Sequence, residues 1–170
     1  MRVCRKCNIS VQPTTTRVNE GSGVYQIIQD NFRLVGSFSS ILEHVDKFCD
    51  QARPLHTVLG RDDVSFAIEL LLREMLNNAI LHGNKANPKL VVTCSIIVYE
   101  NTIAVEVADE GQGFDWKTYY AELAKRTDVV GDDGFLPTSG YGLFLLKEYA
   151  TTFFYNDQGN QVSLTINLSP

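Results

Sequence analysis

Between Asp62 and Gly83 the chain carries Val64, Ala67, Ile68, Leu71, Leu72, Met75 and Ala79 at helical spacing, and these side chains cover most of one helix. A helix this apolar has to be enclosed, so the fold must be organised around it. Asp62 or Asp63 suits the N-cap and the positive end of the dipole, and Gly83 is expected as the C-terminal cap. One face breaks the pattern: Glu74 and Asn78 are spaced i, i+4, and His82 lies a further turn on. Burying a carboxylate without a partner is costly. Either this stripe grazes the surface, or a bound metal and phosphate chain compensates for its burial. His82 taken alone reads as a helix-end structural residue.

The enclosing layer is legible in the strands. After Pro88, Leu90-Val-Val-Thr-Cys-Ser-Ile-Ile-Val-Tyr99 and the alternating Ile103-Ala-Val105-Glu-Val107 flank a turn at Glu100-Asn101-Thr102, which predicts an antiparallel hairpin with one face on the helix. Phe32-Arg-Leu-Val35 and Val24-Tyr-Gln-Ile-Ile28 predict shorter strands, whereas Pro13-Thr-Thr-Thr reads as irregular. Thr151 to Tyr155 and Gln161 to Asn167 predict a closing hairpin about Asp157-Gln-Gly159-Asn160. Ser40-x-x-Glu43 has the form of a capping box opening a second helix, with Ile41, Leu42, Val45, Phe48 and Cys49 inward, His44 exposed and Pro54 at its end.

A length of 170 residues, 44% of them hydrophobic, suits one globular domain that buries roughly 70% of its unfolded surface. Residues 1 to 30 read as an N-terminal extension and residues 31 to 170 as the domain. No apolar run nears the ~18 residues that span a bilayer, and Met1-Arg-Val-Cys-Arg-Lys-Cys lacks a signal peptide's apolar block, so a soluble, cytoplasmic protein without a membrane partner is expected. The net charge of −5 provides no basic stripe, which argues against nucleic acid as a partner. Cys4 and Cys7 form one C-x-x-C, with Cys49 and Cys94 far away. The four make neither a disulfide framework nor a complete zinc set, and Cys4 and Cys7 read as ordinary thiols.

Chemistry concentrates at two glycine turns. Asp109-Glu-Gly111-Gln-Gly113-Phe114 sets a carboxylate and two glycines at the end of an alternating strand. Such a carboxylate can accept a hydrogen bond from a base's amino group, and the glycines allow a ligand close to the backbone. Ser139-Gly140-Tyr141-Gly142-Leu143-Phe144 precedes an apolar helical run ending near Ala150, where free N–H groups and the dipole favour phosphate. A third pair, Gly21 and Gly23, reads as turn chemistry. Neither functional pair continues to the third glycine of a dinucleotide fingerprint, and no strand directly precedes Gly140, which argues against a Rossmann reading. Residues 115 to 138 turn polar, with a short helix expected from Trp116 to Lys125. A polar stretch of that length in a compact domain is usually a functional lid or disordered.

Three boxes therefore occur in order: Glu74-x-x-x-Asn78-Ala79-x-x-His82-Gly83, then Asp109-x-Gly111-x-Gly113-Phe114, then Ser139-Gly140-x-Gly142-Leu143. This resembles the N, G1 and G2 boxes of the Bergerat-fold (histidine kinase-like) ATPases, and among them most the anti-sigma-factor serine protein kinases. The resemblance covers about residues 30 to 168. It implies an α/β fold of the α+β two-layer sandwich type, with helices packed on one face of a mixed, mostly antiparallel sheet.

The resemblance also implies roles. Glu74 is the base that accepts a proton from the attacking hydroxyl, and Asn78 offers its side-chain oxygen to Mg2+. Asp109 accepts the adenine amino group, Gly111 and Gly113 let the base lie against backbone, and Phe114 belongs to the same ATP-binding set. Ser139, Gly140, Tyr141, Gly142, Leu143 and Phe144 hold the phosphates of ATP. Residues 115 to 138 form the ATP lid, in which Lys125 and Arg126 are the foremost cations, though both also read as solvated surface charges. A small anti-sigma-factor antagonist of the STAS type, a sigma factor and a second copy in a homodimer are the implied partners. Two other classes share the pocket: the catalytic domain of a histidine kinase, and a nucleotide-sensing interaction module without turnover. The last hairpin, Gly159-Asn160-Gln161-Val162, lacks the threonine pair often found there in the family, which leaves the support of Asp109 open.

Overall fold

The computed structural model describes residues 15–20, 23–28, 32–123 and 149–168. Seven described strands form one sheet: β1 (Thr15–Glu20), β2 (Gly23–Ile28), β3 (Arg33–Ser39), β4 (Val91–Val98), β5 (Thr102–Asp109), β6 (Thr152–Tyr155) and β7 (Gln161–Asn167). Their order is β1-β2-β3-β4-β5-β7-β6. The sheet expected to be mixed and mostly antiparallel is antiparallel at every described pairing. The β4–β5 and β6–β7 hairpins form as predicted. β1 was not expected: Thr-Thr-Arg-Val-Asn-Glu has almost no apolar alternation, and it pairs at the sheet's edge with β2, whose Val24 to Ile28 carried the stronger signal.

Alternation decides which face of the sheet is covered. Leu34 and Phe38 of β3, Val92, Cys94 and Ile96 of β4, Ile103, Val105 and Val107 of β5 and Leu164 of β7 are buried in a single core. The same core holds residues of α1 (Glu43–Ala52), α2 (Pro54–Leu59) and α3 (Asp62–Asn77), so these helices lie on one face. On the opposite face the register aligns Val35, Ser95, Glu106 and Ser163, and Ser163 Oγ donates to Glu106 at 3.1 Å. The two-layer α+β sandwich is thus the observed architecture.

All seven apolar positions that defined the buried helix are buried in α3 or just beyond it. The helix does not end on a glycine cap. It widens into a π-helical turn, Asn78–Gly83, in which Asn84 N donates to Ala79 O, five residues back, at 2.8 Å. Neither Asp62 nor Asp63 is the N-cap; Arg61 is, with both aspartates in the first turn. Lys85 and Ala86 then adopt left-handed backbone at φ 53° and 51°, turning the chain toward β4.

Three further expectations are corrected at the start of α1. Ser40 caps no helix: its hydroxyl donates to Leu90 O at 3.1 Å, and the N-cap is Leu42 with no side-chain bond. Ile41 and Leu42 precede the helix and are exposed, whereas Val45, Phe48 and Cys49 are buried as expected. His44 is buried, not exposed, because its ring stacks on Phe38 at 5.5 Å between centroids, with Nε2 3.4 Å from Ser39 Oγ. Pro54 does stop α1, but it also occupies the first turn of α2, where its missing N–H is tolerated.

Burial holds the His44 imidazole below its ordinary value of 6.5; nearby Lys47 adds to this and Glu43 opposes it. A base depressed by folding contributes stability that is full above its unfolded pKa and is lost as pH falls through the folded one. His44→Phe, which keeps a ring against Phe38, is therefore expected to flatten the decline in urea midpoint between roughly pH 7 and pH 5. A decline equally steep in both proteins would contradict this.

Candidate nucleotide site

Asp109 is the last residue of β5, and its place is set on three sides. Its N–H donates to Asn160 O at 2.9 Å, its carbonyl accepts from Asn160 Nδ2 at 2.8 Å, and its Oδ1 accepts from Gly111 N at 2.8 Å. Oδ2 has no hydrogen bond to any described residue. The carboxylate lies where a side chain at position 83 would be: a Cβ on Gly83 would overlap it. Gly83 is thus required by a close approach, not by a left-handed cap.

The glycines after Asp109 serve backbone packing. A Cβ on Gly111 would overlap the Gly83 carbonyl, and one on Gly113, at φ 73°, would overlap the carbonyl of Gln158. Gly159, at φ 78°, packs reciprocally on the Phe114 backbone. Two loops therefore interlock at van der Waals limits, the one after β5 and the one joining β6 to β7. The second is latched by Asn156, whose Oδ1 accepts from Gly159 N and Asn160 N at 2.7 and 3.1 Å and whose Nδ2 donates to Asn160 Oδ1 at 2.8 Å. Asn160 thus holds the backbone of Asp109 at both its N–H and its carbonyl.

An aromatic group closes the far side of the loop. Phe114, which is exposed, meets Tyr155 edge-on at 5.3 Å and Tyr119 at 6.1 Å, while Trp116 stacks on Tyr155 at 5.9 Å. Trp116 Nε1 donates to Asn156 O at 3.0 Å, which anchors the start of α4 (Trp116–Leu123). Burial pushes the Tyr155 hydroxyl up to about 12.

The π-helical turn packs against β5 and brings the end of the polar stripe to the same place. Glu74 is half-buried on α3, while Asn78 and His82 are exposed. None of the three side chains bonds to another described residue, so the stripe is open to the surface. Lys125, Arg126, Ser139, Gly140, Tyr141, Gly142, Leu143 and Phe144 lie outside the described residues, as do Cys4 and Cys7. Among the described residues no helix is long and apolar enough to cross a membrane, and no three His, Cys, Asp or Glu side chains gather as a metal site.

The residue that sequence reasoning missed is Asn84. It is buried, donates through Nδ2 to Ser40 Oγ at 2.6 Å and to Val91 O at 2.9 Å, and accepts Glu110 N at Oδ1 at 2.9 Å. An asparagine after a helix-ending glycine carries no sequence signal that separates this from a solvated turn.

Comparison with known proteins agrees with the three-box pattern. The histidine kinase-like ATPase domain is matched over residues 38–166, and the chain belongs to that family. It is 28% identical to the serine-protein kinase RsbW of Listeria monocytogenes over 128 residues, covering 67% of this chain and 81% of that protein. It is 26% identical to the serine-protein kinase RsbW of Staphylococcus aureus over 106 residues, covering 61% and 65%. The similarity to serine protein kinases read from the boxes has its counterpart in these relatives.

Half-burial raises the Asp109 carboxyl above its ordinary value of 3.8, against the lowering effect of the Gly111 N–H. A carboxyl raised by folding favours the fold when protonated; that contribution is full below about 3.8 and is lost as pH rises through the raised value. At neutral pH the ionised group thus weighs against the nucleotide-free fold. Asp109→Asn, which keeps an oxygen for Gly111 N, is expected to melt higher than wild type at neutral pH, with the difference vanishing in acid. A variant that melts lower at every pH would refute this.

Proposed function

We propose that this protein is an ATP-binding serine protein kinase of the anti-sigma-factor type, transferring the γ-phosphate of Mg-ATP to a serine of a small antagonist protein. The observation that carries the reading is Asp109: a half-buried carboxylate with one oxygen held by Gly111 N and the other open, beside the turn that begins at Asn78. An adenine amino group is a donor that matches the open oxygen, whereas guanine presents a carbonyl at that position. Membership of an ATPase family and relatives named as serine kinases point the same way.

In this reading each residue has one task. Asp109 selects the base and Phe114 lines its edge. Asn78 would hold magnesium through its side-chain oxygen, in keeping with an ion bound mainly by phosphate oxygens and water. Magnesium, when bound, neutralises charge on the phosphate oxygens. Ser139 to Phe144 would hold the phosphates with backbone N–H groups, and Lys125 and Arg126 would supply charge from the lid. Glu74, four residues before Asn78 on the same helix, takes the proton of the attacking serine hydroxyl, a contribution of about 10²- to 10⁴-fold in rate. The substrate is a STAS-type antagonist, with a sigma factor as second partner and a homodimer as the working form.

Incubation with γ-labelled ATP, Mg2+ and candidate partners tests this. Label on a partner serine, reduced about 10²-fold or more in Glu74→Ala while nucleotide binding persists, is expected. Label on a histidine would favour the histidine kinase reading, and binding without transfer would favour a nucleotide-sensing module; either would overturn the proposal.

A further inference from the structure

We infer that Asn84 is a positioning residue for base recognition, holding the Asp109 loop against the end of the buried helix; the inference rests on the reading of Asp109 as the adenine acceptor. Three separate parts of the chain converge on this one amide. Ser40 follows β3, Val91 opens β4, and Glu110 directly follows Asp109. Both Nδ2 hydrogens are used, on Ser40 Oγ and Val91 O, and Oδ1 takes Glu110 N. Turning the amide over would set two acceptors against an oxygen and a donor against a nitrogen, so only one orientation satisfies the site.

The contact is reinforced from both sides. Ser40 Oγ passes the chain on to Leu90 O, and Ser40 N bonds the same carbonyl at 3.0 Å. Glu110 reaches back with Oε2 to accept Val91 N at 2.7 Å. The backbone on the helix side is equally constrained: Asn84 N closes the π-helical turn, and Lys85 and Ala86 hold the left-handed conformation that follows. Non-glycine residues persist in that conformation only where their surroundings impose it. Asn84, itself buried, thus ties the element carrying Asn78 to the loop carrying Asp109. With its amide removed, the Glu110 N–H is left unpaired, the Asp109–Gly111 turn loosens from Gly83, and the carboxylate loses its fixed distance from the helix.

Wild type, Asn84→Ala, Ser40→Ala and Val98→Ala decide the matter. Val98 is buried at the opposite end of β4 from Asp109, so its truncation reports what a general loss of stability does to binding. Amide hydrogen exchange at Glu110 and Gly111, melting without nucleotide, and the Kd for Mg-ATP are measured on each. Asn84→Ala is expected to speed exchange at Glu110 and to raise Kd by about tenfold or more beyond Val98→Ala, the factor that follows from one unpaired buried donor. Ser40→Ala is expected to move both in the same direction by a smaller factor, and it stands in if Asn84→Ala does not fold. Exchange and Kd displaced no further than in Val98→Ala would overturn the inference. Absence of ATP uptake by wild type would instead sink the functional reading, while exchange at Glu110 still decides whether Asn84 holds the loop.

Discussion

A carboxylate at the end of β5 lies against the end of a buried helix, and only glycine at position 83 leaves room for it. The rest of the site follows from that approach. Gly111 has to be glycine because the Gly83 carbonyl occupies the space its side chain would take, and the turn after it then meets the β6–β7 loop at Gly113 and Gly159. Four glycines thus mark backbone packed on backbone or on Asp109. The hydrogen bonds that hold this packing come from asparagines: Asn84 on the helix side, Asn156 and Asn160 on the hairpin side. A neutral amide donates and accepts at once, so it can join two backbones without adding a second buried charge next to Asp109.

The apolar helix and the hairpin over it were legible because burial imposes a period, 3.6 in α3 and 2 in β4 and β5, that few other constraints produce. Asp109 was legible for a related reason: a carboxylate at the end of an alternating run is out of place unless something uses it. What was not legible was local and polar. Ser40-x-x-Glu43 has the composition of a capping box, yet a tertiary partner, Leu90, took the hydroxyl. His44 falls at a position that the polar residues around it mark as exposed, and it is buried because an aromatic ring at Phe38 lies across the layer. Asn84 looks like any turn residue. Local sequence does not encode which distant group completes a polar side chain's hydrogen bonds.

The end of α3 shows where this fold departs from regular structure. The helix widens into a π turn at Asn78 and stops in two left-handed non-glycine residues. Such departures gather where a side chain has to be presented at a particular angle. The polar stripe accordingly changes from half-buried at Glu74 to exposed at Asn78 and His82. One element is anchored in the core by its apolar faces and opens its remaining face at the rim, next to the Asp109 loop. In the proposed function this rigid scaffold would hold a base and a metal-bound phosphate chain together.

Backbone amide NMR during titration with Mg-ATP, and separately with Mg-GTP, tests the central claim most directly. Saturable shifts concentrated at residues 78–84 and 109–114 with ATP, and much weaker ones with GTP, are expected if, as proposed, the open oxygen of Asp109 accepts a hydrogen bond from adenine's amino group, because it would meet a carbonyl on guanine. Equal responses to the two nucleotides, or shifts confined to other parts of the chain, would contradict the account.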